Sequence, residues 1–246
     1  MSVPFHVIIP AREGSTRLPG KCLMDLNGLS VIERVYRQAC LAEPQSITIA
    51  TDSVTIFNHA QGFGSDVVMT ANTHQSGTDR LAEAALTVGF DADALIVNVQ
   101  GDEPLMPPPL IRQVAHVLAH TKAPMATLCW PVERLSEALD PNVVKVVRDA
   151  EDNALYFSRS LIPANRDNPT QYHNTFRHIG LYAYRAAFLQ QFVQWPVCEL
   201  ESMEALEQLR VLWAGYRIQV PVAMVPPQQD INTLADLERA RATSSG

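Results

Sequence analysis

The sequence predicts an α/β fold in which helices flank a mixed, mainly parallel sheet. In the first half of the chain, short apolar runs alternate with helix-like segments, a pattern typical of βα units. From Met125 onward the strand candidates follow one another with less helix between them. Because parallel neighbours need a long crossover, this second pattern indicates an antiparallel extension of the sheet.

Length and charge limit the architecture and the partners of the chain. Its 246 residues suffice for a sizeable core, and we expect a single domain with two lobes, residues 1–124 and 125–246. The formal net charge of -7 argues against a general affinity for nucleic acid or for an anionic membrane. No signal peptide or membrane span is predicted, so a cytoplasmic location is expected. Free thiols are expected at the scattered cysteines, Cys22, Cys40, Cys129 and Cys198.

In the first lobe, apolar runs mark strands and capping residues mark the helices between them. The predicted strands are residues 5–9, 47–50, 67–69 and 95–99. Ser30, with Glu33 as its capping-box partner, begins the first helix, and a helix is expected to start near Ser53. Ser76 opens another helix at SGTDR, and prolines 107–109 begin the last helix of this lobe.

The second lobe contains more strands and fewer helices. The strand candidates are residues 125–130, 143–147, 154–158, 179–184 and 218–225, with a polar loop at 163–174. One helix face is predicted from Met203, Leu206, Leu209 and Trp213, and this helix would end near Gly215. Residues 233–243 close the chain as a helix.

The stretch that follows the first strand, residues 10–21, reads PAREGSTRLPGK. Its prolines and glycines predict a loop, and it carries three cations, Arg12, Arg17 and Lys21. Because glycine lets backbone N–H groups approach an anion that basic side chains surround, we predict a triphosphate-binding loop. Neither a Walker A motif nor GxGxxG is present, which argues against a P-loop ATPase or a Rossmann dehydrogenase. A solvated basic surface loop is the alternative.

A second polar constellation, Gln100-Gly101-Asp102, follows the strand at residues 95–99. Ligands of open α/β sheets lie beyond the carboxyl ends of the strands, where Gly101 would let a ligand approach the backbone. Asp102 is well placed to hold Mg²⁺, which takes oxygen ligands and substrate phosphates. Taken alone, an Asp at this position is more often a turn former or a helix cap. Together with the basic loop it predicts a magnesium-nucleotide site.

Several motifs in order resemble one family over roughly residues 4 to 242: PAREGSTRLPGK, HQSGTDRLAEA, VNVQGDEP, NVVKVV, ALYFSR, RHIGLYAYR and LEQLRVLWAG. They are similar to those of the 3-deoxy-manno-octulosonate (KDO) cytidylyltransferases, or CMP-KDO synthetases. The resemblance implies a Rossmann-like, GT-A-type fold, with nucleotide bound by the first lobe and acceptor by the second. It also implies that CTP and KDO give CMP-KDO and diphosphate with Mg²⁺, for lipopolysaccharide biosynthesis, and that the protein is a homodimer.

The resemblance assigns roles to residues in the matching motifs. Around the nucleotide it implies triphosphate contacts from Arg12 and Lys21, with Arg17 supporting the same loop. The residues implied around the cytidine are Pro10, Ala11, Ser76 and Gln100. Catalysis would depend on Arg12, Lys21 and Asp102, with Asp102 on magnesium. The sugar acid would meet Gln100, Arg159, His178, Tyr182, Glu207 and Gln208. Taken singly, most of these residues are more often structural, and only their joint occurrence supports the roles.

Two positions depart from the family pattern. Glu13 stands where the family commonly has Tyr, and we expect its carboxylate to point to solvent, away from the phosphates. The usual VDTPEDL motif is replaced by DINTLADL, which puts Asn232 where a second metal-binding carboxylate is expected. Asp230, two residues earlier, would project to the same side of an extended segment, so we predict Asp230 as a ligand with Asn232 assisting.

The predicted chemistry is in-line attack of the anomeric hydroxyl of KDO on the α-phosphorus of CTP, and no side chain is required as general base. The acceptor could instead be the 8-amino analogue of KDO or a sialic acid. A catalytically silent nucleotide sensor or scaffold is supported only by the altered metal motif. A purely structural or interaction protein would have no use for a basic loop and an acidic turn at two strand ends.

Overall fold

The computed structural model describes residues 3–12, 14, 18–74, 76–168, 170–228, 231 and 233–243. Within these residues nine strands form one sheet and two more form a small hairpin. The strands are β1 (His6–Ala11), β2 (Asp25–Leu26), β3 (Leu29–Ser30), β4 (Ser46–Thr51), β5 (Asp66–Met69), β6 (Leu95–Asn98), β7 (Met125–Pro131), β8 (Lys145–Arg148), β9 (Ala154–Ser158), β10 (Phe176–Arg185) and β11 (Ile218–Gln219).

The helices in the described part of the chain begin at the predicted capping residues in the first lobe. They are α1 (Val31–Cys40), α2 (Val54–Gly62), α3 (Gly77–Val88), α4 (Pro108–His120), α5 (Leu135–Leu139), α6 (Ala186–Phe192), α7 (Glu199–Glu204), α8 (Leu209–Trp213) and α9 (Leu234–Thr243). The hydroxyls of Ser30, Ser53 and Ser76 each accept a backbone N–H of the first turn that follows. Those caps are confirmed, but Glu33 is not the capping-box partner of Ser30, because its carboxylate accepts from Arg37 instead. Helices α5 and α6 were not predicted from the sequence.

The large sheet has the order β11-β7-β10-β6-β1-β4-β5, with β8 and β9 attached beside β10. Strand β1 pairs in parallel with β4 and β6, and β5 continues the parallel set beyond β4. Strand β10 runs antiparallel to β6, β7 and β8, and β8 runs antiparallel to β9. The predicted mixed, mainly parallel sheet with an antiparallel extension is therefore confirmed. The division into two lobes stays a prediction.

The central strands are apolar throughout because both of their faces are covered. In β1, Val7 and Ile9 pack into the core on one face of the sheet, whereas Ile8 packs into the core on the other face. All three side chains are fully buried. Since neighbouring residues of a strand point to opposite faces, helices on both sides require an uninterrupted apolar run. This packing fixes the position of the polar residues that follow β1 and β6.

One predicted helix is wrong. The stretch expected as a single helix up to Gly215 is divided into α7 and α8 by Ala205, whose φ of 50° is left-handed. Met203 and Trp213, predicted to lie on the buried face, are 82% and 57% exposed. A helical apolar pattern cannot reveal this break, because Ala favours helix and the left-handed turn is imposed by tertiary contacts.

One further prediction concerns the length of an element. The strand expected at residues 218–225 is limited to β11, and an isolated bridge joins Val222 to Cys129. The four cysteines are free, as expected. Among the described residues, none of the helices combines the length and the apolar character that a bilayer crossing requires.

Candidate active site

A pocket of about 190 Å³ opens where β1 and β6 end. It is lined by Pro10, Ala11, Arg12, Lys21, Cys22, His74, Ser76, Gly77, Arg80, Gln100, Gly101 and Asp102. Strand β1 extends to Ala11, two residues further than expected, so the loop begins at Arg12. The pocket brings together the basic loop after β1, the acidic turn after β6 and the start of α3, as parallel neighbours in a sheet require.

Lys21 and Asp102 form the electrostatic centre of this pocket. The Lys21 Nζ lies 2.6 Å from Asp102 Oδ2, and it also donates to the carbonyl oxygen of Ile231 at 2.9 Å. The side chain of Lys21 is 8% exposed and that of Asp102 is 33% exposed. The N–H of Ile231 donates to the Asp102 carbonyl oxygen at 3.3 Å. Residues from three distant parts of the chain therefore meet at one point.

Two predictions about the basic loop have different outcomes. Arg12 lines the pocket together with Lys21, whereas Arg17 and Glu13 lie outside the described residues. Gly101, in the acidic turn, lines the same pocket, and access by a ligand stays a prediction. A Cβ at Gly101 would lie 2.7 Å from the carbonyl oxygen of Pro10, so glycine is also needed for the close approach of two backbone segments.

The start of α3 supplies pocket residues that the sequence analysis did not assign. Arg80 is buried and its Nη2 donates to Asp52 at 2.6 Å. His74 forms a short contact with Glu83, whose carboxylate also accepts the N–H of Ala71 at 2.9 Å. The signal was present, because Arg80 belongs to SGTDR one helical turn after the predicted cap Ser76.

Strand β10 carries two of the predicted acceptor residues, His178 and Tyr182. The two rings lie 5.2 Å apart between centroids, on the same face of the strand. Burial lowers the pKa of His178 to about 3, so its imidazole is neutral at physiological pH. Burial raises the pKa of Tyr182 well above 10, so the phenol keeps its proton. Both rings therefore offer neutral hydrogen-bonding groups.

Glu207 and Gln208 lie between α7 and α8, close to the start of α3. Thr78 Oγ1 donates to Glu207 Oε2 at 2.9 Å. Burial raises the pKa of Glu207, while the hydroxyls of Thr78 and Ser76 oppose that rise. Gln208 is 5% exposed, and its Nε2 finds no hydrogen-bond partner among the described residues. An unused buried donor of this kind is suited to a polar ligand.

Arg159 makes mainly structural contacts. Its guanidinium donates to the backbone carbonyl oxygens of Pro141, Glu204 and Ala205 at 2.9, 2.5 and 3.2 Å. Those bonds use three of the five guanidinium N–H groups, and two remain for another acceptor. The predicted contact between Arg159 and the sugar acid stays a prediction. The contacts position the turn at Ala205, from which Glu207 and Gln208 follow.

The predicted metal site is only partly described. Asp230 and Asn232 lie outside the described residues, and within those residues no group of three or more His, Cys, Asp or Glu side chains could hold a metal ion. Ile231, which stands between them in the sequence, contacts Asp102 through its backbone N–H. A partly exposed carboxylate beside a polyanion pocket has the hard oxygen donors that Mg²⁺ prefers, so Asp102 fits such an ion.

The fold and the pocket together define a mixed α/β protein whose ligand site lies at the carboxyl edge of the sheet. The chain matches the family described as Cytidylyltransferase over residues 6–218. The 3-deoxy-manno-octulosonate cytidylyltransferase of Legionella pneumophila (strain Lens) is 60% identical over 237 residues, which cover 96% of this chain and 95% of that protein. The protein of the same name from Aliivibrio fischeri (strain MJ11) is 50% identical over 246 residues, covering 98% and 99%.

A solved structure of CMP:2-keto-3-deoxy-manno-octonic acid synthetase complexed with CTP superposes with a TM-score of 0.90. It is 39% identical to this chain, and the match covers 98% of both chains. The chain belongs to the 3-deoxy-manno-octulosonate cytidylyltransferase family.

Proposed function

We propose that the protein transfers the cytidylyl group of CTP to 3-deoxy-manno-octulosonate, which gives CMP-KDO and diphosphate for lipopolysaccharide biosynthesis. The observation that carries the proposal is the shared pocket of Lys21 and Asp102, with Nζ and Oδ2 2.6 Å apart. A nucleotide triphosphate needs a cationic group at its phosphates and, with its magnesium, a carboxylate nearby. Both lie at the strand ends where α/β proteins bind ligands.

The residues of the pocket have separate tasks in this reaction. Arg12 and Lys21 hold the triphosphate and stabilise the negative charge that grows on the leaving diphosphate. Pro10, Ala11, Ser76 and Gln100 surround the cytidine. Since the transferred group passes in line from diphosphate to acceptor oxygen, alignment contributes most of the rate, and no side chain is assigned as general base.

The acceptor binds beside β10 and the turn before α8. Tyr182 and His178 supply neutral polar rings, and Gln208 supplies a buried amide donor whose partner is the sugar. Glu207 accepts hydrogen bonds from the sugar hydroxyls. The two unused N–H groups of Arg159 are available for the carboxylate of the sugar acid or the adjacent phosphate.

Mg²⁺ would be held by Asp102, with Asp230 and Asn232 as the predicted further ligands, and when bound it would neutralise phosphate charge and orient the reacting oxygens. The backbone contacts of Ile231 with Asp102 and Lys21 support this assignment, because they bring the residue between Asp230 and Asn232 to the same place.

A homodimer and a cytoplasmic location belong to the same proposal. Leu139 on α5 and Leu155 on β9 are 55% and 59% exposed, and β9 pairs only with β8 in the described sheet. Exposed apolar side chains beside an edge strand are typical of a surface that a second copy of the same chain covers. Free cysteines suit a reducing compartment. Light scattering after size exclusion tests the dimer, and a monomer at micromolar concentration would contradict it.

Diphosphate release measured with CTP and Mg²⁺ tests the activity. KDO, its 8-amino analogue and a sialic acid are compared as acceptors, and we expect the highest kcat/KM with KDO. Asp102→Asn should lower the rate at least ~100-fold, because an amide neutralises less cation charge than a carboxylate. Release with none of the acceptors would favour the silent nucleotide sensor, and near-normal turnover of Asp102→Asn would contradict the metal assignment.

A further inference from the structure

We propose that Thr78 is a positioning residue for the acceptor: its hydroxyl fixes the carboxylate of Glu207 and so ties the acceptor side of the site to the nucleotide side. This inference rests on the proposed function, in which Glu207 contacts the sugar acid. The sequence analysis gave Thr78 no role. The contact joins residues that are 129 positions apart in the chain, at 2.9 Å between Thr78 Oγ1 and Glu207 Oε2.

Thr78 is not needed to start the helix on which it lies. The cap of α3 is complete without it, because Ser76 Oγ accepts the N–H of Asp79 at 3.1 Å while Asp79 Oδ2 accepts the N–H of Ser76 at 3.3 Å. Thr78 is nevertheless only 4% exposed. The Thr78 hydroxyl is thus buried without being part of the helix cap, and it donates to the carboxylate of Glu207, which lies between α7 and α8.

A second threonine on α3 shows the ordinary behaviour. Thr87 Oγ1 donates to the carbonyl oxygen of Glu83, one turn earlier in its own helix, at 2.8 Å. Thr78 belongs to the first turn of α3 and has no such carbonyl four residues earlier within the helix. Its hydroxyl contacts groups outside the helix instead: it donates to Glu207 at 2.9 Å, and it also makes a hydrogen bond with the hydroxyl of Tyr184 on β10.

The charges around the Glu207 carboxylate explain why it depends on the hydrogen bond from the Thr78 hydroxyl. The cation that faces the carboxylate is Arg210, with Nη2 4.0 Å from Oε1, and Arg210 is shared with Glu201, whose Oε1 lies 2.6 Å from the same Nη2. Asp79, Tyr182 and Tyr184 also face it from α3 and β10, and Asp79 repels it. Ser76 supplies the other hydroxyl. With its cation already engaged, Glu207 depends on hydroxyl donors to stay ionised and in place.

The test is Thr78→Val in the full-length protein, since Val keeps the branched shape and removes the hydroxyl. We expect KM for KDO to rise about 10-fold or more, as for loss of a hydrogen bond to a charged group, while KM for CTP changes less than about twofold. The acid limb of the pH profile of kcat/KM for KDO should move to higher pH, because burial then raises the pKa of Glu207 unopposed by Thr78. Thr78→Ser, which keeps the hydroxyl, should restore both parameters, and Thr87→Val is the matched control on the same helix.

The outcomes separate this inference from the proposed function. A wild-type protein that releases no diphosphate with KDO would overturn the proposed function. An active wild type with an unchanged KM for KDO and an unchanged acid limb in Thr78→Val would overturn the positioning role alone. Equal losses for KDO and CTP, with no rescue by Thr78→Ser, would also overturn it, because that pattern indicates general damage to α3.

Discussion

At the scale of single residues, the ammonium of Lys21 is held by two acceptors at once, the carboxylate of Asp102 and the carbonyl oxygen of Ile231. In the proposed reaction Lys21 binds a phosphate group and Asp102 binds magnesium. The contact between the two side chains must therefore be replaced when the magnesium nucleotide binds. The ion pair neutralises both groups, which avoids leaving a largely buried cation unpaired.

Lys21→Met tests this exchange without relying on turnover. We expect CTP binding to weaken at least ~100-fold, because a phosphate contact from a shielded cation is lost. The same variant should bind Mn²⁺ about tenfold more tightly in the absence of nucleotide, since a competing charge beside Asp102 has been removed. Isothermal titration with each ligand measures both effects. Lys122→Met is the control, and weaker Mn²⁺ binding in Lys21→Met would contradict the exchange.

His178 predicts a dependence of stability on pH. Its pKa falls from 6.5 to about 3 on folding because burial disfavours the charged ring. Below pH 6.5 the His178 imidazole therefore binds a proton in the unfolded chain but stays neutral in the folded protein. The free energy of unfolding consequently decreases as pH falls from 6.5 toward 3. The loss from this group is up to about 2 kcal/mol between pH 7 and pH 5.

Urea unfolding of His178→Gln at pH 7, 6 and 5 measures that contribution. We expect a flatter loss of stability in this variant than in the wild type. His116→Gln is the control, because His116 is an exposed helical residue. Parallel losses in the wild type and in His178→Gln would show that the ring is not the source of the acid sensitivity.

At the scale of elements, an irregularity in β10 positions the acceptor residues. The register with β7 shifts between Ile179 and Tyr182, so that extra residues of β10 bulge from the ladder. Thr127 on β7 fills the gap, with its hydroxyl 2.8 and 2.7 Å from the carbonyl oxygens of Ile179 and Leu181. Its single proton goes to a carbonyl, so His178 Nε2, 3.0 Å away, is the donor to the hydroxyl oxygen.

Thr127→Val should therefore affect both the fold and the acceptor. Loss of the hydroxyl leaves one buried carbonyl and the His178 N–H without their partner, at a cost of about 1–3 kcal/mol in the free energy of unfolding. KM for KDO should rise because His178 loses its fixed orientation, while KM for CTP should stay close to the wild-type value. Urea unfolding and initial rates check the two effects. Thr48→Val on β4 is the buried control, and an unchanged KM for KDO would show that the bulge does not orient the ring.

At the scale of the whole molecule, residues from the first and the last tenth of the chain, Lys21 and Ile231, meet at the site. Ile231 lies 210 residues after Lys21, yet its carbonyl oxygen accepts the Lys21 ammonium. Ile231 also belongs to a separate small core with Leu18, Leu26, Val31, Leu237 and Ala240. Among the described residues, none from Ile231 onward belongs to the two larger cores on the faces of the sheet. The C-terminal segment thus packs on a sheet that has its own cores.

A variant that ends at Gln228 tests this arrangement. We expect a sheet that still unfolds cooperatively in urea, with lower stability because Ile231, Leu237 and Ala240 no longer cover the small core. Diphosphate release should be lost, since Ile231 and the predicted metal ligands are removed. A variant ending at Thr243 is the control and should keep full activity. Substantial turnover by the shorter variant would show that the C-terminal segment is dispensable for catalysis.

The local parts of this protein could be predicted because their causes are local. The caps at Ser30, Ser53 and Ser76 depend on a hydroxyl and the next backbone turn, and the uninterrupted apolar run of β1 follows from burial on both faces. Spacing alone did not show the break at Ala205, because Ala favours helix and only contacts with distant segments hold it in a left-handed turn.

The amino-acid sequence by itself determined the order of the strands of the large sheet and of the helices in the first lobe, the class of the fold and the resemblance of its motifs to one family. Only the tertiary structure decided that Lys21, Asp102 and Ile231 share one point, that Gly101 is glycine because of the Pro10 carbonyl, and that Thr78 serves Glu207. The physical reason is that these contacts depend on which strand ends lie side by side and how closely the backbones approach, and neither quantity is encoded in local spacing.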